Sequence, residues 1–217
     1  MDSGIKLLLT IILPALLILG SVYGLGNYVK GRTLTSEYEY EVVINPDEDI
    51  YNFTLEVPFP SDLSEGDISA PPQWNHTIDE DENMLRIEAE KIENIFGDRY
   101  RKLSLSIDTE DEIDTLDPWD NEPMLEPGSE FTKVECNSSD DSERLECYNY
   151  TGTVNATYDA ESGTEVAISV ELSGMNRWWL IEDIENQYFD RLSVDIEGDG
   201  EGEYTADGQV KTGMGTY

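Results

Sequence analysis

The chain of 217 residues holds one histidine, two cysteines and 13 Lys and Arg, and each scarcity removes a class of function. Nucleophilic catalysis by Ser or Cys needs a base, usually histidine. The single histidine, His76, sits inside an Asn-x-Thr sequence near Pro71 and Pro72, where it reads as a loop residue. Zinc centres require clustered Cys and His, which the chain lacks. No glycine-rich phosphate loop precedes a helix: Gly198, Gly200 and Gly202 fall in an acidic turn between strand-like segments. Against the 13 basic residues stand 48 Asp and Glu, a formal charge of −35. Nucleic acids and anionic lipid surfaces need the opposite sign, so both are excluded as charge-driven partners.

Long apolar runs are equally scarce, with one exception. Residues 7–29, LLLTIILPALLILGSVYGLGNYV, carry no charge. As a helix at ~1.5 Å per residue this run spans about 34 Å, enough for a hydrocarbon core of ~30 Å. Its most apolar part, residues 7–19, has the length of a signal-peptide core, and Gly24 and Gly26 have the spacing a signal peptidase accepts. The uncharged run nevertheless continues to Val29, where Lys30 and Arg32 stop it and Tyr23 and Tyr28 suit an interface. The reading adopted is a retained signal-anchor over residues 1–32, with cleavage as the alternative. No cysteine follows the run to carry a lipid, and no basic-Gly pair precedes it as in a pilin leader.

Residues 1–32 hold Asp2, Lys6, Lys30 and Arg32, a net +2, which takes residues 33–217 to −37. Disorder would require few aromatics, but there are 12 Tyr, 4 Trp and 5 Phe, and apolar residues alternate along much of the chain. The acids are spread throughout rather than gathered in a tail. A folded domain coated with carboxylates is the remaining reading, and its self-repulsion vanishes at ~1 M salt, where the Debye length is about 3 Å. The composition is that of a halophilic protein.

Period-two alternation places strands at 37–44 and 51–57, joined by Asn45-Pro46-Asp47-Glu48 as an expected hairpin, and at 84–90 and 100–107. Further strands are expected at 131–136, 147–158, 165–172, 192–196 and 204–211. Pro58, Pro60, Pro71 and Pro72 mark a loop carrying Trp74 and His76. Leu180, Ile181, Ile184 and Tyr188 recur at helical spacing, suggesting a short helix or wide loop. Residues 108–130, with three prolines and many acids, form a surface crossing or a linker between two β-units. The expected fold is all-β, a β-sandwich-like ectodomain over residues 33–217 preceded by one transmembrane helix.

Sidedness comes from two patterns. Five Asn-x-Ser/Thr sequons begin at Asn52, Asn75, Asn137, Asn149 and Asn155. From 12 Asn and 31 Ser plus Thr, chance supplies about two. The cysteines, Cys136 and Cys147, flank the polar loop NSSDDSERLE, where a disulfide would close the neck and persist only outside the cytosol. Together they outweigh a weak positive-inside count and place the domain outside the cell.

Clustered acids at Asp79–Glu82, Glu110–Asp114 and Asp199–Glu203 are oxygen donors of the kind Ca²⁺ or Mg²⁺ takes, but none has a full calcium-loop spacing. The Trp178 and Trp179 rings are expected to cap the core. No cofactor is expected. The sequence thus points to a non-enzymatic, membrane-anchored surface protein with a structural, adhesive or recognition role toward another surface protein or glycan. The alternatives are an exported hydrolase using paired carboxylates, and a subunit of a surface filament or virion spike.

Overall fold

The computed structural model describes residues 24, 26, 28–63, 67–94, 101–136, 144–180 and 182–217. Alternation of apolar and polar residues builds almost all of it. The strands are β1 (Thr35–Pro46), β2 (Ile50–Pro58), β3 (Ile68–Ser69), β4 (Trp74–Asp79), β5 (Met84–Ile92) and β6 (Lys102–Thr109). They are followed by β7 (Thr132–Val134), β8 (Glu146–Asp159), β9 (Glu165–Trp179), β10 (Asp183–Glu197) and β11 (Gly200–Gly215). The fold is all-β. Along β8, Tyr150, Val154, Ala156 and Tyr158 point inward while Asn149, Thr151, Thr153, Asn155 and Thr157 point out, the pleat's period of two.

The strands form one antiparallel sheet in the order β3-β6-β1-β9-β10-β11-β8-β2-β5-β4, with β7 added beside β8. This sheet curls. Tyr40 on β1 lies five strands from β2 in that order, yet its hydroxyl donates to Pro58 O at 2.8 Å and its ring meets Phe59 edge-on at 5.0 Å. One buried cluster therefore draws on both halves: Val42, Leu103 and Val170 from one, Leu55, Ile87 and Val154 from the other.

Inward-facing glycines let aromatic rings lie flat across the strands. Gly174, Gly200 and Gly208 stand directly opposite Tyr188, Tyr158 and Tyr150 in the strand register. A Cβ on any of the three would come within 2.3 to 2.5 Å of the ring across from it. A strand glycine is costly by itself, and a ring packed over it restores the lost contact.

Three sequence expectations are corrected. The hairpin of β1 with β2 does not form: β1 pairs with β6 and β9, β2 with β5 and β8. Alternation sets which face of a strand is buried but not which strand it joins. The turn after β1 instead carries the chain across the curl, with Asp47 bonded through N–H and carboxylate to Glu165 at the start of β9. In place of the helix or wide loop expected near Leu180, β9 runs to Trp179 and β10 starts at Asp183, paired with it. Ile184 and Tyr188, four apart, share a face in a strand as well as in a helix, so that spacing does not discriminate. The supposed loop around Trp74 and His76 contains β4, paired along β5.

Residues 113–125 lie against the inner face of β9–β11. Ile113 and Leu125 are buried there. Asn176 accepts from Ser36 Oγ at 2.7 Å and from Ile113 N at 2.9 Å, and donates to Ile113 O and Asn186 Oδ1. Thr115 donates to Asn186 Oδ1 at 3.0 Å, and Tyr188 to Pro123 O at 2.6 Å. Side chains thus supply the partners that an irregular backbone needs when it is packed against a sheet.

Residues 28–33 are helical and lead into β1. Among the described residues no helix is long and apolar enough to cross a membrane. The predicted span, residues 7–29, lies almost wholly outside them.

Candidate functional site

The candidate site is the outer face of β8, β2, β5 and β4. Two rows of side chains cross it. In one, Asn155 stands opposite Glu56, Glu56 opposite Arg86, and Arg86 opposite Thr77. In the other, Thr157, Thr54, Glu88 and Asn75 succeed one another. Arg86 bridges the rows, donating to Glu56 at 2.8 Å and Glu88 at 2.9 Å. Asn155 Nδ2 donates to the second Glu56 oxygen at 3.1 Å.

Asn52 enters this face through an irregularity. Its φ is 51°, in the left-handed region that Asn tolerates better than most residues, and the β2–β8 register shifts beside it. Its Nδ2 donates to Asp159 at 2.6 Å. Asn52 and Asn75 both line an open cleft of about 800 Å³ with Gln73, Glu88, Lys91 and Glu93. Asn149 lies farther along β8, also exposed.

The four sequon asparagines within the described residues, Asn52, Asn75, Asn149 and Asn155, are thus all exposed on one half of the sheet. Asn137 lies outside the described residues. The other half, β6, β1, β9 and β10, holds no sequon. Across its outer face run Ser106, Glu39, Ser173 and Phe189, and in the next row Ser104, Glu41, Glu171 and Arg191. Phe189, Met175 and Val43 are half-buried among these serine and charged side chains.

Cys136 and Cys147 stand at disulfide distance, S–S 2.09 Å with Cα atoms 5.3 Å apart. Val134 pairs with Cys147, so β7 and β8 bring the two ends of the polar loop together. Beside them Trp119, Phe131, Tyr148 and Tyr150 pack ring against ring at 4.6 to 5.1 Å. A 2.5 Å bond to Glu146, together with partial burial, pushes the Tyr148 phenol up to about 12.

The acidic clusters are used locally. Asp79 caps its own turn by accepting from Asp81 and Glu82, Asp114 does so from Leu116 and Asp117, and Asp199 accepts from Ala160. Among the described residues no three His, Cys, Asp or Glu side chains are gathered to hold a metal ion. His76 is exposed on β4. The tryptophan pair divides as strand neighbours must: Trp178 is buried, whereas Trp179 is 53% exposed, so only the first caps the core.

Asp190 was not singled out by sequence, because one acid among 48 carries no signal. Among the described residues it is the one fully buried carboxylate. Tyr150 OH donates to one of its oxygens at 2.6 Å and Leu125 N–H to the other at 2.8 Å. Burial drives its pKa from 3.8 up to about 7, against the opposing pull of those bonds. Compared with known proteins, the chain significantly matches no family model, no curated protein and no solved structure.

Proposed function

We propose that this protein is a non-enzymatic surface domain of a halophilic cell, held by its N-terminal segment to the membrane with the sandwich-like β-domain outside. It carries N-linked glycans on the β8–β2–β5–β4 face and meets another surface component through the sequon-free β6–β1–β9–β10 face. The observation that carries this reading is the segregation of sequons to one half of the sheet. Glycans on that half would leave the opposite half accessible. That half, with half-buried Phe189 and Met175 among serine and charged side chains, suits contact with a flat, mixed partner surface.

A hydrolase with two catalytic carboxylates is less well supported. Such a pair must face each other across the substrate with free oxygens. Asp190, the buried candidate, has both oxygens engaged by protein donors.

Intact and peptide mass spectrometry of the native protein from the membrane fraction tests the proposal. The expected mass retains residues 1–32 and adds glycan at Asn52, Asn75, Asn149 or Asn155. An unmodified full-length mass would make the sequons coincidence and turn the reading toward an internal domain. Loss of the first two dozen residues would make the protein a released one.

A further inference from the structure

Six large hydrophobic side chains among the described residues are exposed, and five of them lie at one end of the sheet. Because β1 runs antiparallel to β9, its first residue, Thr35, stands opposite Arg177. The helical residues just before it therefore meet the β9–β10 turn: Thr33 Oγ1 accepts from Trp179 N–H at 3.1 Å. Lys30 sits 4.6 Å over the Trp178 ring and bonds Glu112 at 2.5 Å. The last strand returns to the same end, with Tyr217 OH 2.9 Å from Thr115 Oγ1 and the Arg144 guanidinium 5.1 Å over the Tyr217 ring. One cleft there is lined by Lys30, Leu116, Arg144 and Tyr217 together. Exposed Tyr28, Trp179 and Leu180 complete the surface.

We infer that this end, with Trp179 and Leu180 at its tip, inserts into the headgroup layer of the membrane; the inference rests on the anchor reading proposed above. Three observations converge. The uncharged run of residues 7–29 ends at this surface, so a helix crossing the bilayer delivers the domain with this end down. Trp and Tyr with neighbouring Lys and Arg are the side chains that favour a membrane–water interface. Lys30, Arg32, Arg144 and Arg177 supply the basic members. The far end is different in kind: the turns between β1 and β2 and between β10 and β11 present Asp47, Glu48, Asp49 and Asp199. Glu112, Asp114, Glu182 and Asp183 accompany the basic residues at the near end, so apolar insertion rather than net charge makes the contact. A neutral lipid surface accepts it despite the acidity of the whole chain.

The test uses the full chain in molar KCl with vesicles of phosphatidylcholine brominated high on the acyl chains, which quench tryptophan at that depth. Flotation reports anchoring, and emission reports the tip. The expected result is that the chain floats, that its emission is quenched, and that W179F loses most of that quenching while keeping its circular dichroism. Adding Y51W to W179F, at the exposed position near the far end, should add emission the bromines do not reach. If the chain floats but quenching is absent or unchanged in W179F, the docking is wrong while the anchor stands. A chain that stays in the aqueous fraction overturns the anchor and the docking with it.

Discussion

Replacing Asp190 with asparagine should make the protein more stable at neutral pH and remove a distinct slope from its stability profile. The buried carboxyl titrates at about 7 when folded and at 3.8 when free. Between those values the folded state holds a proton that the unfolded state has released, so stability falls as pH rises. The contribution is complete below the unfolded value and gone above the folded one. A difference of about three pK units at 1.36 kcal/mol each comes to about 4 kcal/mol in full, of which roughly 2–3 kcal/mol falls between about pH 5 and pH 8. Asparagine imitates the protonated form: its Oδ1 accepts from Leu125 N–H, and its Nδ2 donates to the Tyr150 hydroxyl.

Urea unfolding in molar KCl, followed by tryptophan emission at several pH values, measures the effect. The wild-type curve minus the D190N curve cancels every other carboxylate common to both. That difference should grow steadily up to about pH 7 and then level off. In a Y150F background the same difference should go on growing to higher pH before it levels off, because losing a hydrogen bond to the ionised form raises the folded value further. Parallel wild-type and D190N profiles across this range would refute the reasoning.

Two further predictions concern packing and charge. In G208A the new methyl would lie 2.5 Å from Tyr150 ring atoms, so the ring must move and its bond to Asp190 must stretch. The expected cost is about 1–3 kcal/mol, and it should shrink in the D190N background, where that bond matters less; additive costs in the double variant would count against a shared ring. Salt should stabilise the domain although it weakens ion pairs. Seven Lys and Arg are seen in such pairs among the described residues, and the whole chain has 13 basic residues against 48 acids. The melting temperature should therefore climb from 0.1 M to molar KCl, where screening shortens to about 3 Å; a flat profile would mean the acids are not repelling one another.

What could be read from the sequence followed one physical signal, the period of two. It located β1, β2, β5, β6, β8 and about half of β9 and of β11, because each alternates apolar with polar residues. Partner choice was invisible to it. Nothing in residues 37–57 distinguishes a hairpin from a crossing of the curl, since either arrangement buries Tyr40 and Phe53 equally well. Nor does alternation report which glycines face rings: Gly174 and Tyr188 lie fourteen residues apart, and only register makes them neighbours. The cysteine neck was legible because a polar ten-residue segment between two strands leaves little else for the flanking thiols to meet. Asp190 was the opposite case. Its neighbours Phe189 and Arg191 show only alternation, and a carboxylate on the apolar phase is recognisable only once Tyr150 and Leu125 are seen to hold it.

The polarity of the molecule follows from strand direction. The sheet is antiparallel throughout, so its turns are divided between two ends, and a chain arriving at β1 and leaving from β11 can start and finish at the same one. Here it does: Thr35 and Gly215 both lie at the end where Trp179 is exposed. The acids are not shared equally among faces and ends. Those in the far turns and along the outer rows are solvated, whereas Glu112 is drawn to Lys30 and Asp190 is shut inside. A domain tethered at its N-terminus therefore presents its acid-capped turns away from the tether, and its sequon-bearing and sequon-free faces sideways. On the proposed reading a surface partner would reach it laterally, through the β9–β10 face, where Phe189 stands between Ser173 and Lys211.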